Sequence, residues 1–479
     1  QEITRPVQTD SAKEAIPGRA DEPKSRLDYS ALGWGKICLF AALTGVGGGA
    51  GAIIFRKMIE VFYWVFFERI FPFTSALNLN GFHFGLILVP ILGGLVIGPI
   101  IFTLAREAKG HGVPEIMESV HFLNGRVRKR VAIIKIIVSS ITLGSGGSAG
   151  REGPVAQIGG GVGSTLGQFF KLDSEMCRLL TACGAAAGIA GTFNAPIGGA
   201  FFGAEIILRK VNFRYLIPCF IASVTGAWVA SLVLGTRPAF QTTLSNLACT
   251  PADLIGFVFL GLIFGVLSYI WVRVFYYVED RFDNLRKVPD FLKVPIGMSV
   301  GGILTAIFAW HYTMSTGDSI EPMYYGIMGV GYEGMDLALM GKLSIVMLLL
   351  LSISKIIATS FTIGSGGSGG IFAPSLYIGT LFGLGCGYAL NAVAPSANLF
   401  GSPMAYGIGG MAALFAGAAR APLTAMFQVP EMARCFELFP AIVIVCVVSY
   451  IVSSLLLKGS SIYTIKLERR GRPPIDSAI

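Results

Sequence analysis

The residues in this chain that could do chemistry are few, and each sits at a break rich in glycine or small polar residues. Glu152 lies in GREGP (150–154), with Arg151 beside it and apolar sequence on both sides. A carboxylate in such surroundings is expensive, and residues of this kind are as a rule functional. His111 lies in a second break, GHGVPE (110–115), Ile371 and Phe372 in a third, GGIFAP (369–374), and Tyr463 in a fourth, SIYTIKL (461–467). Each break reads as a turn followed by the start of an apolar helix. A helix that begins inside a membrane leaves backbone N–H groups unpaired and presents a partial positive charge of roughly half a unit. Several such ends converging would hold an anion without a buried cation. Any one of these breaks alone is better read as a device for close helix packing; four of them in repeated halves reverse that and favour the anion. At a helix N-terminus the Glu152 carboxylate can stand in for that anion. Burial favours its neutral form and nearby N–H groups its charged form, so a carboxylate balanced between them can switch. The bland alternative is an ion pair between Glu152 and its neighbour Arg151.

The elements that must position these residues occur twice. Lys135–Pro154, KIIVSSITLGSGGSAGREGP, recurs 220 positions later as Lys355–Pro374, KIIATSFTIGSGGSGGIFAP. The two copies differ where chemistry would sit, Arg151-Glu152 in one and Ile371-Phe372 in the other. FNAPIGGAFFGAE (193–205) similarly resembles ARAPLTAMFQVPE (419–431), 226 positions on. Two halves with the same order of motifs are an internal repeat. In membrane proteins such repeats commonly flank a transport site built from helices broken at glycine and proline.

Composition agrees. Of 479 residues, 53% are hydrophobic and 14% charged, with a mean hydropathy of +0.68; a soluble protein has about 25% charged residues. The chain cannot hide that much apolar surface in its own core, so the bilayer is its solvent. The eight cysteines are scattered, with neither CxxC nor metal-ligand spacing, and read as small hydrophobes. The net charge of +9 comes from basic residues beside apolar segments, where they set orientation rather than bind nucleic acid.

Along the chain, a polar tail without an apolar leader core precedes an apolar stretch over 34–67, interrupted only by Arg56-Lys57. Further spans are expected over 84–104, 216–234, 254–276, 294–310, 339–363, 371–390 and 438–457. Segments 133–143 and 154–170 flank a glycine break and read as half-helices. Segment 183–208 carries another break, at Asn194-Ala195-Pro196, and 406–418 and 422–428 complete the apolar set. The basic clusters at 126–130 and 469–472 and the charged stretch 280–293 read as cytoplasmic, and Arg209, Lys210 and Arg214 follow the break at 194–196. GVGYEG (329–334) formally matches GxGxxG, but no βαβ pattern surrounds it, and it carries little weight. The resulting organisation is a cytoplasmic tail (1–33), a first membrane repeat (34–235), a polar connecting loop (236–253), a second membrane repeat (254–467) and a cytoplasmic basic tail (468–479).

GREGP, GGIFAP, FNAP, RAPLT (420–424) and the late Tyr463 resemble the CLC family of chloride channels and proton/chloride exchangers, over about residues 34–467. The resemblance implies an all-α polytopic membrane protein with two inverted-topology repeats and many tilted, broken helices. It implies a homodimer with one anion pathway per subunit, and no cofactor, chloride being the transported ligand. Carried over by position, Glu152 would be the gate. Ile371 and Phe372 would offer backbone N–H groups to the anion, and Tyr463 its hydroxyl from the inner side. His111, Gly112, Arg151 and Gly153 complete the expected anion site.

Two positions depart from the family pattern. GSGIP is usual where this chain has GHGVP, so His111 stands where a serine hydroxyl would face the anion. A neutral imidazole N–H can still donate, and His111 is expected to alter selectivity or add pH dependence unless it points away. The family's exchangers also carry an internal glutamate that hands protons toward the gate. Alignment through FNAP places Ile206 there, and Ile206 cannot carry a proton. Its neighbour Glu205 points about 100° away on a helix and is no simple substitute.

These residues favour anion transport gated by Glu152 and at most weakly proton-coupled. Proton/chloride exchange over a water route stands as the alternative. An organic-solute symporter would need a carboxylate pair that is not evident. An enzyme is not expected: neither HExxH nor GxSxG occurs. The expected location is a bacterial inner membrane, as a multi-pass protein with cytoplasmic termini.

Overall fold

The computed structural model describes residues 31–75, 77–236, 251–316, 325–393 and 401–475. The expected N-terminal tail and polar connecting loop thus lie almost wholly outside the described residues, as do the last four positions of the basic tail.

The first half comprises α1 (Ala31–Tyr63), α2 (Phe71–Ser75), α3 (Gly85–Leu104), α4 (Val113–Phe122), α5 (Lys129–Gly144), α6 (Glu152–Phe169), α7 (Ser174–Phe193), α8 (Pro196–Phe201) and α9 (Phe213–Leu234). The second comprises α10 (Pro251–Asp283), α11 (Asp290–Thr316), α12 (Tyr332–Leu339), α13 (Ile345–Gly364), α14 (Phe372–Val393), α15 (Pro403–Ala419), α16 (Pro422–Ala433), α17 (Phe439–Leu456) and α18 (Thr464–Arg469). The β-structure among the described residues is one short hairpin, Asn78–Leu79 with Phe82–His83, plus isolated bridges at the glycine loops. Nine helices among the described residues are long and apolar enough to cross a membrane. The chain is a multi-pass integral membrane protein. Its first span runs from Gly33 to Thr74 through a π-helical stretch at Trp64–Ile70. Those 42 residues extend about 60 Å, twice the hydrocarbon thickness of about 30 Å, so the helix is steeply tilted or projects well beyond the bilayer. Short helices lie beside the glycine and proline breaks: α5, α8 and α16.

Apart from α2 and α18, each helix of one half has a counterpart in the other, and their packing is repeated. α6 packs on α7 as α14 packs on α15; α1 packs on α9 as α10 packs on α17; α3 meets α11, and α8 meets α16, across the halves. α7 and α15 lie at the centre, with 94% of the α7 window buried. Their alanine and glycine runs leave no bulk between backbones, which is what close packing in lipid requires.

The same reciprocity fixes the loops. Buried Lys135 donates from Nζ to the carbonyls of Ala108 (3.0 Å) and Gly110 (2.9 Å). Its repeat mate Lys355 donates to those of Gly326 (2.8 Å), Ile327 (3.2 Å) and Gly329 (3.0 Å). Each lysine gathers the turn that precedes a short helix, α4 or α12. At the other motif the exchange is crossed. Glu205 accepts from the backbone N–H of Leu423 (3.0 Å) and Thr424 (2.6 Å) and from the Thr424 hydroxyl (2.6 Å), capping α16. Glu431 accepts from Ile197 (3.1 Å) and Gly198 (2.9 Å), capping α8. Carboxylates at helix N-termini satisfy orphan donors and the dipole together.

Candidate anion site

The two copies of the long motif touch at the site. Gly150 and Gly370 exchange N–H···O=C bonds of 2.6 Å each, an antiparallel bridge between the loops that open α6 and α14. Gly110 donates to the Gly367 carbonyl (3.0 Å), and Gly369 donates back to that of Gly110 (3.3 Å), which brings in the turn before α4. Glycine is required at this approach. Gly112 has φ +83°, and a Cβ there would lie 2.7 Å from the Gly153 carbonyl oxygen. A Cβ on Gly370 would lie 2.7 Å from the Gly153 nitrogen. The N-termini of α4, α6 and α14 therefore converge, as the spacing of the breaks implied.

Glu152 is buried at the head of α6, and its side chain reaches across to the second half. Oε2 accepts the Ala373 backbone N–H (3.1 Å), at the head of α14 one residue past Phe372, and Oε1 accepts the Tyr332 hydroxyl (3.1 Å). Arg151 acts on Glu152 through space, while its guanidinium lies over the rings of Phe193 (5.5 Å) and Tyr332 (5.0 Å). Ile371 and Phe372 are buried at the start of α14. The Ile371 carbonyl accepts the Ser375 hydroxyl (2.8 Å), which itself accepts from Trp271 Nε1 (3.1 Å), and the Phe372 ring packs edge-on to Phe415.

On the other side of the site His111 faces Tyr463 and Phe275, each ring centroid 5.8 Å away. It is buried, and neither ring nitrogen has a hydrogen-bond partner in the protein. A buried imidazole with both nitrogens unpaired is anomalous for a purely structural residue, and it fits a ligand with acceptor character. His111 lies beside Tyr463, which the resemblance places on the inner side of the same site.

Tyr463 is held from three sides. Tyr276 donates to the Ile462 carbonyl (2.6 Å), Ile462 donates to that of Ala418 (2.9 Å), and α18 is fastened by ion pairs. Lys466 pairs with Glu279 (2.5 Å), Arg469 with Asp280 (2.7 Å), Arg470 with Glu115 (2.5 Å) and Glu118 (2.8 Å), and Arg472 with Glu118 (2.7 Å). Burial works against the Arg470 charge, but Glu115 and Glu118 outweigh it and hold its pKa above the ordinary arginine value. The basic tail is therefore more than a solvated flank: it ties the helix behind Tyr463 to the helix behind His111.

Ile206 lies buried in the π-helical stretch Phe202–Ile207 with Glu205 beside it. Glu205 is taken up by the α16 cap. Among the described residues no group of three or more His, Cys, Asp or Glu side chains could hold a metal ion.

Reading the motifs missed Tyr332, Lys135 and Lys355. The signals were present. The two lysines are identical across the repeat, and GVGYEG stands 219 positions after GHGVPE, which makes it that motif's repeat mate rather than a nucleotide loop.

A family model for the voltage gated chloride channel matches residues 93–454. The chain is 31% identical over 441 residues to the H+/Cl− exchange transporter ClcA of Cronobacter sakazakii, covering 90% of this chain and 89% of that one. It is 32% identical over 380 residues to ClcA of Vibrio parahaemolyticus, covering 77% and 76%. Among solved structures, a slow cyanobacterial Cl−/H+ antiporter matches with a TM-score of 0.78 at 26% identity, over 91% of this chain and 98% of the other. A CLC-type fluoride/proton antiporter matches with a TM-score of 0.72 at 20% identity, over 91% and 99%, a likeness of fold. With the repeated motifs meeting as they do, the inverted-repeat architecture and the family follow together: this chain belongs to the voltage-gated chloride channel, or CLC, family.

Proposed function

We propose that this protein carries chloride, or a small anion much like it, across a bacterial plasma membrane through a pathway gated by Glu152. One observation carries the reading: the Glu152 carboxylate accepts a backbone N–H at the head of α14, the place where a helix N-terminus would otherwise hold an anion. In this arrangement the carboxylate excludes the anion, and protonation or competition by chloride releases it. Ile371 and Phe372 then offer their N–H groups. His111 and Tyr463 line the inner approach, and Gly112 and Gly153 let the helix ends close around the ion. Arg151, on the outer side, draws anions toward the gate.

Two readings of proton coupling remain, each favoured by its own observation. This chain's residues favour weak or absent coupling, since Ile206 cannot carry a proton and Glu205 is engaged as a cap. The relatives named as H+/Cl− exchange transporters, at 31–32% identity, favour exchange, with water bridging the inner side to Glu152. The test is purified protein in liposomes under a chloride gradient, with chloride and external pH followed together. Protons driven uphill by chloride support exchange; chloride flux without them supports the passive pathway; no chloride flux overturns the proposal. A homodimer is part of the same reading, and subunit counting in the bilayer tests it.

A further inference from the structure

The Tyr332 hydroxyl reaches Glu152 from 180 residues away, and its bond of 3.1 Å takes the carboxylate oxygen that the α14 backbone leaves over. The tyrosine is placed by a stiff turn. Gly331, just before it, has φ +102°, and Lys355 binds three carbonyls of the same turn. Gly329 of that turn is in addition paired with the loop that carries Glu152: its carbonyl accepts the Ala149 N–H (3.2 Å), and its N–H donates to Gly146 (3.4 Å). The hydroxyl therefore holds a fixed position relative to the carboxylate. Arg151 lies over the Tyr332 ring at 5.0 Å, and a cation on the ring face draws electron density from the phenol and strengthens its O–H as a donor.

The repeat shows that this hydroxyl is not needed to build the turn. The mate of Tyr332 in the first half is Val113, which stands at the head of α4 after the same GxG turn, gathered by the same kind of buried lysine. Valine offers no donor. The turn is thus made without a phenol, and what the phenol adds is its hydrogen bonds to Glu152 and to Arg151 beside it.

We propose that Tyr332 is a positioning residue that latches Glu152 in its anion-excluding position and so sets the pH at which the pathway opens. The inference rests on the reading of Glu152 as gate. A hydrogen bond to the ionised carboxylate favours the charged, seated form. The other charged or titratable groups that act on Glu152 are Arg151 beside it, Lys355 on α13 and Tyr463 at the head of α18, and all three are left in place by the test.

The experiment is chloride efflux from liposomes across a pH series for the parent, Tyr332→Phe, Tyr332→Val and Glu152→Gln. Loss of one hydrogen bond to a charged group weakens the seated form by about tenfold, which is a shift of about one pH unit. Tyr332→Phe is expected to move the pH of half-maximal flux upward by about that much, so that the pathway stays open at higher pH. Tyr332→Val, which installs the donor-free residue that the first half carries at Val113, is expected to shift it in the same direction. Profiles that superimpose on the parent overturn the latch. If Glu152→Gln keeps the parent's pH dependence, the gate reading itself fails, and a shift in the Tyr332 variants then has another cause.

Discussion

Replacing Glu205 with glutamine separates two roles that its position beside Ile206 makes easy to confuse, helix cap and proton carrier. The carboxylate accepts three bonds, from Leu423 N–H at 3.0 Å and from the Thr424 N–H and hydroxyl at 2.6 Å each. Glutamine keeps one acceptor oxygen, which can serve Leu423 or Thr424 but not both. Its NH2 must then face a backbone N–H, donor against donor, while the threonine hydroxyl can rotate and accept. The net loss is one charge-assisted bond, the charge on those that remain, and one buried N–H left unpaired. At about 1.5–3 kcal/mol for a bond to a charged group and about 1–3 for a stranded donor, with partial relaxation, the substitution should cost about 2–4 kcal/mol. The assay is thermal unfolding of purified protein in detergent, followed by aggregation-corrected fluorescence, alongside chloride and proton flux from liposomes. A lowered unfolding midpoint with whatever proton-to-chloride ratio the parent shows is the expected outcome. An unchanged midpoint together with lost proton movement would refute the reasoning and make Glu205 the internal proton carrier despite its cap.

Glu152→Gln should give faster anion flux that no longer depends on pH; a surviving pH dependence would remove Glu152 as gate. His111→Ser should change the ranking of chloride against nitrate or sulfate in competition flux assays, because the buried imidazole has both nitrogens without a protein partner and so a donor to offer an anion. An identical ranking would put His111 outside the selectivity site. Arg470→Gln takes from Glu115 its ion-pair partner and leaves Glu118 with Arg472 alone. With the arginine partly exposed, the loss is discounted to about 2 kcal/mol, to be seen as a lower unfolding midpoint in detergent. No change in midpoint would show the strap around α18 to be ornamental.

Much of the fold was legible because its signals are local. The apolar stretches, their breaks at glycine and proline, and the repeat at 220 positions are properties of short segments. They placed many span ends to within a few residues, but the stretch expected over 339–363 starts too early, since Leu339 closes α12 and α13 begins only at Ile345 after a turn, and the first span runs on past 67 to Thr74. The other shortfalls came where polar residues sit inside buried helices. α7 begins at Ser174, nine residues before the apolar stretch starting at Cys183, because Asp173 caps it by accepting the Met176 N–H (2.9 Å), and Glu175 with Arg178 pair along its first turn. α10 continues to Asp283 through charged residues, because Glu279 and Asp280 meet the basic tail.

For the site, the sequence by itself determined which backbone ends could hold an anion, since a helix N-terminus is made by the residues that break and restart it. It determined as well that Ile206 carries no proton and that a histidine replaces serine at position 111. Only the tertiary structure decided who meets whom. That Tyr332 donates to Glu152, that Glu205 caps α16 and Glu431 caps α8, that His111 faces Tyr463, and that Arg470 reaches Glu115 are matters of a few tenths of an ångström between segments up to 355 residues apart. Hydrogen bonds and ion pairs select partners by distance and direction in space, and neither is written in the order of residues along the chain.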